Sequence, residues 1–98
     1  MNAIFEVTAD DIAAAIAAIE SGGLRSKSCP VAQALMRLGV SFEFPGDGVS
    51  ASGWFATGGE FHRNPNAIEW FIDAFDAGEN PQPQTFTVPA SWLPEVRA

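Results

Sequence analysis

Two side chains in this 98-residue chain have the chemistry of a thiol active site, the single cysteine Cys29 and the single histidine His62. Cys29 directly precedes Pro30 at the predicted start of a helix, and Arg25 and Lys27 are close in sequence. A helix amino terminus and nearby cations lower the pKa of a thiol and make it nucleophilic. No spacing brings His62 to Cys29, so a small buried cysteine under the helix end is favoured over a thiol enzyme.

Other motifs that carry chemistry are incomplete. His62 and Glu60 have no companion ligands at the spacing of a metal site. The glycine-rich stretches 46–48 and 58–59 lack the spacing and the lysine of a phosphate-binding loop. We therefore expect no catalytic residue, no metal and no cofactor, and we favour a binding protein over an enzyme.

The charge of the chain is strongly acidic and uneven. Five basic and twelve acidic residues give a net charge of −7. Residues 1–39 hold four acids and three bases, a net charge of −1, whereas residues 40–98 hold eight acids and two bases, a net charge of −6. Nucleic-acid binding needs a lysine and arginine footprint, so we expect no direct contact with nucleic acid.

The composition predicts a single domain over residues 1–98 with a real core, because 47% of the residues are hydrophobic and 11% are aromatic. A lone cysteine cannot form an internal disulfide. The longest apolar run, residues 12–19, is much shorter than the ~20 residues of a membrane span. We expect a soluble, intracellular protein without membrane contact.

Periodicity and end signals predict three helices. The first follows Thr8 as N-cap and runs to about Ser21, with three isoleucines on one narrow face and alanine over much of the rest. The second starts near Pro30 and stops at Gly39, with a buried stripe of Val31, Ala34, Leu35 and Leu38. The third spans about residues 65–77, with Asn64 as its N-cap.

Alternating apolar residues predict the strands, at residues 2–7, 40–44, 49–56 and 84–88. The turn at residues 45–48 should pair the second strand with the third, and Gly53 should bend the third. Residues 57–59 are interpreted as a flexible loop. The tail, residues 89–98, should pack back through Trp92 and Leu93. The order β-α-α-β-β-α-β predicts an α+β fold, a small, mostly antiparallel sheet with three helices on one face.

The third helix carries the candidate partner-binding residues. At 100° per residue, Ile68, Phe71, Ile72 and Phe75 share a core face, Glu69, Asp73 and Asp76 lie about 80–140° from Ile68, and Trp70 lies near 200°. Glu69 and Asp73 repel each other at i,i+4. Asp76 and Glu79 lie at the negative end of the helix dipole.

These acidic residues lower the stability of the helix and lie beside an outward tryptophan. That combination is typical of a protein-binding face, because tryptophan anchors interfaces and charge steers encounter. The candidate site is therefore Glu69, Trp70, Asp73, Asp76 and Glu79. The alternative is an ordinary solvated helix face with Trp70 covered by the carboxyl-terminal tail.

The segment from Ser28 to Leu35 resembles a Cys-Pro-[Val/Ile]-Ala-x-Ala-Leu signature of small bacteriophage and prophage proteins. The segment from Phe71 to Gly78 is similar to their Phe-Ile-x-x-Phe-Asp-x-Gly pattern, and Val7-Thr8 and Phe86 also match. The central hairpin has no such counterpart. In that family the Cys-Pro pair opens a helix, which implies a structural Cys29.

The resemblance implies a protein encoded by a mobile element and acting in the cytoplasm of a bacterial host. Small acidic phage proteins include anti-CRISPR inhibitors, some of which mimic DNA by placing carboxylates in a basic channel. The implied partner is a host protein with a basic nucleic-acid-binding groove, such as a CRISPR effector. The chain would act as a monomer or homodimer. The alternative is a phage assembly protein that self-associates through the alanine surface of the first helix and the apolar tail.

Overall fold

The computed structural model describes residues 1–50 and 53–93, and the predictions for residues 51–52 and 94–98 fall outside it. The described chain has the expected α+β architecture, with four helices and two small antiparallel sheets. In chain order the elements are β1 (Asn2–Val7), α1 (Ala9–Glu20), α2 (Arg25–Ser28), α3 (Pro30–Arg37), β2 (Gly48–Val49), β3 (Trp54–Thr57), β4 (Glu60–Arg63), α4 (Asn66–Asp76) and β5 (Gln84–Pro89). A short 3-10 turn, Ala90–Trp92, follows.

The first and last strands of the prediction pair with each other. β1 and β5 form an antiparallel ladder from Asn2 opposite Pro89 to Val7 opposite Gln84. Phe5 and Phe86 are opposite one another, both buried, with ring centroids 5.9 Å apart. Alternating burial along both strands matches the period-two pattern and confirms them.

The middle of the chain folds into a separate three-stranded sheet of order β2-β3-β4. Residues 57–59 are not a flexible loop. Thr57 pairs with Glu60, and Gly58 and Gly59, at φ +60° and +81°, form the two-residue turn between β3 and β4. Two consecutive positive φ angles match the right-handed twist of a hairpin, which is why glycine is needed at both positions.

The predicted strand at residues 40–44 is wrong. Its alternation survives as a buried Val40, a half-buried Phe42 and an exposed Phe44, but this segment forms no ladder. The Lys27 ammonium donates instead to the carbonyls of Phe42 and Phe44, at 3.3 and 3.2 Å. The pairing expected from this segment is made by β2 with β3, Val49 opposite Phe55, so the predicted third strand is two short strands rather than one.

Local capping explains where α1 begins. The Thr8 hydroxyl accepts from the N–H of Asp11, and the Asp11 carboxylate accepts from the N–H of Thr8, which is a capping box. Arg37 of α3 donates to both oxygens of the same carboxylate. Burial acts to raise the pKa of Asp11, but the bonds from Arg37 and Thr8 outweigh it, and the pKa lies below its usual value.

The second predicted helix is α3, whose Val31, Ala34 and Leu35 are fully buried. Leu38 departs from the predicted stripe, since it lies just beyond the helix and is partly exposed. Residues 24–28, which lie between the first two predicted helices, contain an additional short helix, α2.

The tail returns to the core as far as the structure describes it. Leu93 is buried, and the Trp92 ring contacts Phe55 at a centroid distance of 5.1 Å. The hydroxyl of Thr57 donates to the Trp92 carbonyl. No helix within the described ranges is both long and apolar enough to cross a lipid bilayer.

Candidate functional site

Helix α4 presents the candidate site, and it is anchored to the three-stranded sheet at its amino end. Asn64 is not the N-cap, because α4 begins at Asn66 with Pro65 in the cap position and no side-chain cap. The Asn64 side-chain amide instead donates to the Ser50 carbonyl at 2.9 Å, and the backbone N–H of Asn64 donates to the Gly53 carbonyl at 2.8 Å. These bonds fix the direction in which α4 leaves the hairpin.

The helix buries the face that its periodicity predicts. Ile68, Phe71 and Ile72 are buried, and Phe75 is half-buried. Trp70 points away from this face, and 69% of its surface is exposed. The described part of the tail packs its own tryptophan against the sheet instead, so it does not cover Trp70.

The acidic residues on α4 differ in their electrostatic surroundings. Asp76 pairs with Arg25 of α2, at 2.8 Å between its carboxylate and the guanidinium. Glu69 is half-buried, and its carboxylate lies against the backbone of Gly53 together with the guanidinium of Arg63. Asp73 is exposed, and no cation of the described residues pairs with it. Asp73 is therefore the acid of α4 itself that is most available to a partner.

Grooves on two sides of α4 divide the predicted site. Trp70 lines one groove of about 520 Å³, together with Ala67, Phe71, Ala74 and the connector residues Pro81, Gln82 and Gln84. Asp76 and Glu79 line a different groove, shared with α1. The structure thus brings Trp70 next to Asp73 on the outer surface and places Asp76 and Glu79 on the other side.

An exposed aromatic cluster on the three-stranded sheet was not anticipated from the sequence. Trp54 and Phe61 contact each other edge to face at 6.2 Å, and their side chains are 45% and 55% exposed. The alternation of β3 and β4 places both on the side opposite Phe55. The sequence signal for this cluster is the Gly58-Gly59 pair, which is typical of a tight hairpin turn and would pair β3 with β4. The interpretation of residues 57–59 as a flexible loop leaves that signal unused.

His62 packs against the tail of the chain rather than forming a catalytic or metal-binding group with its neighbours. Its ring stacks on Trp92 at a centroid distance of 4.4 Å, with 11° between the planes. Its Nε2 atom lies 3.9 Å from the carboxylate of Glu60, which is beyond hydrogen-bond distance. The described residues contain no group of three potential ligands that could hold a metal ion.

Cys29 is buried beneath the start of α3. Its thiol donates to the Val49 carbonyl at 3.4 Å and accepts from the N–H of Ala32 at 3.5 Å, so it caps the helix. Burial raises the pKa of the Cys29 thiol to about 11, because the surroundings disfavour the thiolate more than the helix amides favour it. A protonated, enclosed thiol is a poor nucleophile.

We expect Cys29 to resist Ellman's reagent in the folded protein and to react freely once the chain is unfolded in guanidinium. A pKa raised from 9.0 to about 11 lowers the thiolate fraction at neutral pH roughly a hundredfold. Because the unfolded thiol ionises first, stability should fall as pH rises from about 9 to about 11, by up to ~1.4 kcal/mol per pH unit. Cys29→Ala should flatten this slope. Rapid labelling of the folded chain would contradict the burial.

Asp47 is the polar residue whose importance the sequence did not reveal. Its side chain is only 1% exposed. One carboxylate oxygen accepts from the N–H of Gly59 at 2.9 Å, and the other accepts from the N–H of Phe44 at 3.3 Å. The carboxylate therefore joins the 44–47 turn to the hairpin turn of β3 and β4.

Comparisons of the chain with protein-family models, curated proteins and solved structures gave no match.

Proposed function

We propose that the chain is an acidic binding protein that docks the outer surface of α4 on a basic groove of a partner protein. The observation that carries this proposal is the exposure of Trp70 at 69% beside the carboxylate of Asp73, which pairs with no cation of the described residues. A large exposed indole flanked by charge has the character of an interface anchor. The groove of about 520 Å³ that Trp70 lines provides room for a partner side chain.

The charge of the chain also supports binding to a basic partner protein. No lysine or arginine occurs between Arg63 and Arg97 in the sequence, and on α4 and the following connector Asp73 and Glu79 pair with no cation of the described residues. A net charge of −7 repels nucleic acid but attracts proteins that bind it. Long-range attraction of this kind accelerates encounter and weakens as salt is added.

The finer proposal concerns the biological partner. We propose that the resemblance of the Cys-Pro and Phe-Ile segments to phage sequence patterns reflects an origin in a mobile element. We place the chain in the bacterial cytoplasm, where it inhibits a host nucleic-acid-binding defence complex in the manner of an anti-CRISPR protein. Carboxylates of α4 would then stand where nucleic-acid phosphates bind.

Affinity capture from a lysate of bacteria with an active CRISPR system tests the proposal. The immobilised chain should retain a nucleic-acid-binding complex at low salt and release it as the salt concentration rises. A column carrying the Trp70→Ala variant should retain much less of that complex. Recovery of no nucleic-acid-binding protein at low salt would contradict the proposal.

Asp73→Asn separates binding from folding. We expect the free energy of unfolding to stay constant or rise by a few tenths of a kcal/mol, because the change relieves the i,i+4 repulsion with Glu69. Affinity for the captured partner should fall, and its salt dependence should become shallower.

Glu43→Gln, which removes an exposed acid from the 40–47 segment, is the charge-matched control for Asp73→Asn. Titrations of both variants at two salt concentrations measure the difference. Equal behaviour of the two variants would show that only net charge matters, and would argue against an α4 interface.

A further inference from the structure

The groove between α1 and α4 combines an apolar floor with an acidic rim. It has a volume of about 270 Å³. The floor comes from one face of α1 and the end of α4, namely Ile12, Ile16, Ile19 and Phe75. The rim carries three carboxylates, those of Glu20, Asp76 and Glu79, and the guanidinium of Arg25.

The orientation of α1 leaves its largest apolar side chains at this groove. Ala15 is fully buried, whereas Ile16 is 43% exposed. The exposed part of the Ile16 side chain gains no stabilisation from burial in the free chain, and a partner that covers it would gain that stabilisation. Ile12, Ile16 and Ile19 follow the i, i+4, i+7 spacing with which one helix contacts another.

The electrostatics of the groove favour a cationic occupant. Arg25 already pairs with Asp76 at 2.8 Å, which leaves Glu20 and Glu79 exposed without a cation among the described residues. Glu20 is the last residue of α1 and Asp76 is the last residue of α4. The carboxyl ends of both helices therefore add their partial negative charge at the rim.

We propose that this groove binds an amphipathic helix of the basic partner, with leucine, isoleucine or valine on the face toward α1 and lysine or arginine at its flanks. Ile12 to Ile19 spans about 10 Å of α1, which accommodates about two turns of such a helix. The proposal rests on the proposed function for the basic character of the partner. It assigns that partner a second contact, separate from Trp70.

A fluorescein-labelled 14-residue peptide is a suitable probe, with leucines at i, i+3, i+4 and i+7 and lysines at the remaining positions. A matched peptide with glutamate in place of lysine reports the contribution of charge. Fluorescence polarisation should show saturable binding of the lysine peptide and far weaker binding of the glutamate peptide. Failure of the lysine peptide to bind the wild type would overturn the proposal.

Variants locate the binding. Ile16→Gln should raise the Kd of the lysine peptide about tenfold, the equivalent of ~1.4 kcal/mol. The pair Glu20→Gln and Glu79→Gln should raise it several-fold and flatten its salt dependence. Ala14→Gln, on the opposite side of α1, is the matched control and should change nothing. Equal affinities of the Ile16 and Ala14 variants would refute the groove as the binding site.

Two further measurements distinguish a partner helix from a second copy of the chain in the groove, and distinguish the groove from the proposed interface at Trp70. Light scattering that shows a dimer lost in Ile16→Gln would assign the groove to a second copy of the chain and overturn the proposal. Trp70→Ala should leave peptide affinity unchanged while it weakens partner capture. If Trp70→Ala loses partner capture but keeps peptide binding, the result tests only the proposed interface on the outer surface of α4. If Ile16→Gln loses peptide binding, the result tests only the groove between α1 and α4.

Discussion

Replacing Asp47 with alanine is expected to lower the free energy of unfolding by about 2–4 kcal/mol, measured by denaturant titration. The substitution removes the acceptors of two backbone N–H groups, those of Gly59 and Phe44. Hydrogen bonds to a charged group contribute ~1.5–3 kcal/mol each, and water entering the space recovers part of that loss.

Asp47→Asn tests the same bonds with nearly the same shape. An amide has one acceptor oxygen, so its NH₂ group would face a second N–H donor across one of the two contacts. We expect a loss smaller than that of Asp47→Ala but still above 1 kcal/mol. Glu43→Ala, at an exposed carboxylate nearby, should stay within ~0.5 kcal/mol of the wild type. Wild-type stability of Asp47→Ala would contradict the proposed tie between the two turns.

Trp70→Ala is expected to raise the Kd of the captured complex about thirtyfold, the equivalent of ~2 kcal/mol, with little change in salt dependence. The indole is an apolar contact, so its loss removes buried area without changing the charge. Because Trp70 is exposed in the free chain, the free energy of unfolding should change by no more than ~0.5 kcal/mol.

Trp54→Ala is the matched control for this substitution. Trp54 is another exposed tryptophan, but it lies on β3 against Phe61 rather than on α4. Its removal should leave the Kd unchanged if the interface is on α4. The opposite ranking of the two variants would move the interface to the aromatic cluster of the sheet. Unfolding of Trp70→Ala would mean that the indole supports the core.

The elements with strong local signals could be predicted from the sequence. Thr8 with Asp11 sets the start of α1, alternation locates β1 and β5, and the spacing of apolar residues gives the buried face of α4 and the outward direction of Trp70. These signals depend on neighbours within a few residues. They therefore predict the element correctly where no contact from a distant part of the chain competes with them.

The sequence predictions that were wrong or incomplete depend on interactions between residues distant in sequence. Alternation at residues 40–44 shows which side chains turn inward, but it does not reveal whether another strand supplies hydrogen bonds, and Lys27 supplies them instead. Asp47 in a Pro-Gly-Asp-Gly stretch has the composition of any turn, and only its contact with Gly59 makes it a buried acceptor. The exposure of Ile16 depends similarly on which flank of α1 meets α3.

Competition for the partner's nucleic-acid site tests the proposed role of α4 most directly. The Kd of the captured complex for its own nucleic acid is measured at increasing concentrations of the chain. The wild type should raise the apparent Kd in proportion to its concentration, whereas Asp73→Asn combined with Trp70→Ala should raise it much less. An unchanged Kd at saturating wild type, with the chain and the nucleic acid bound together, would contradict the occupation of a basic groove by α4.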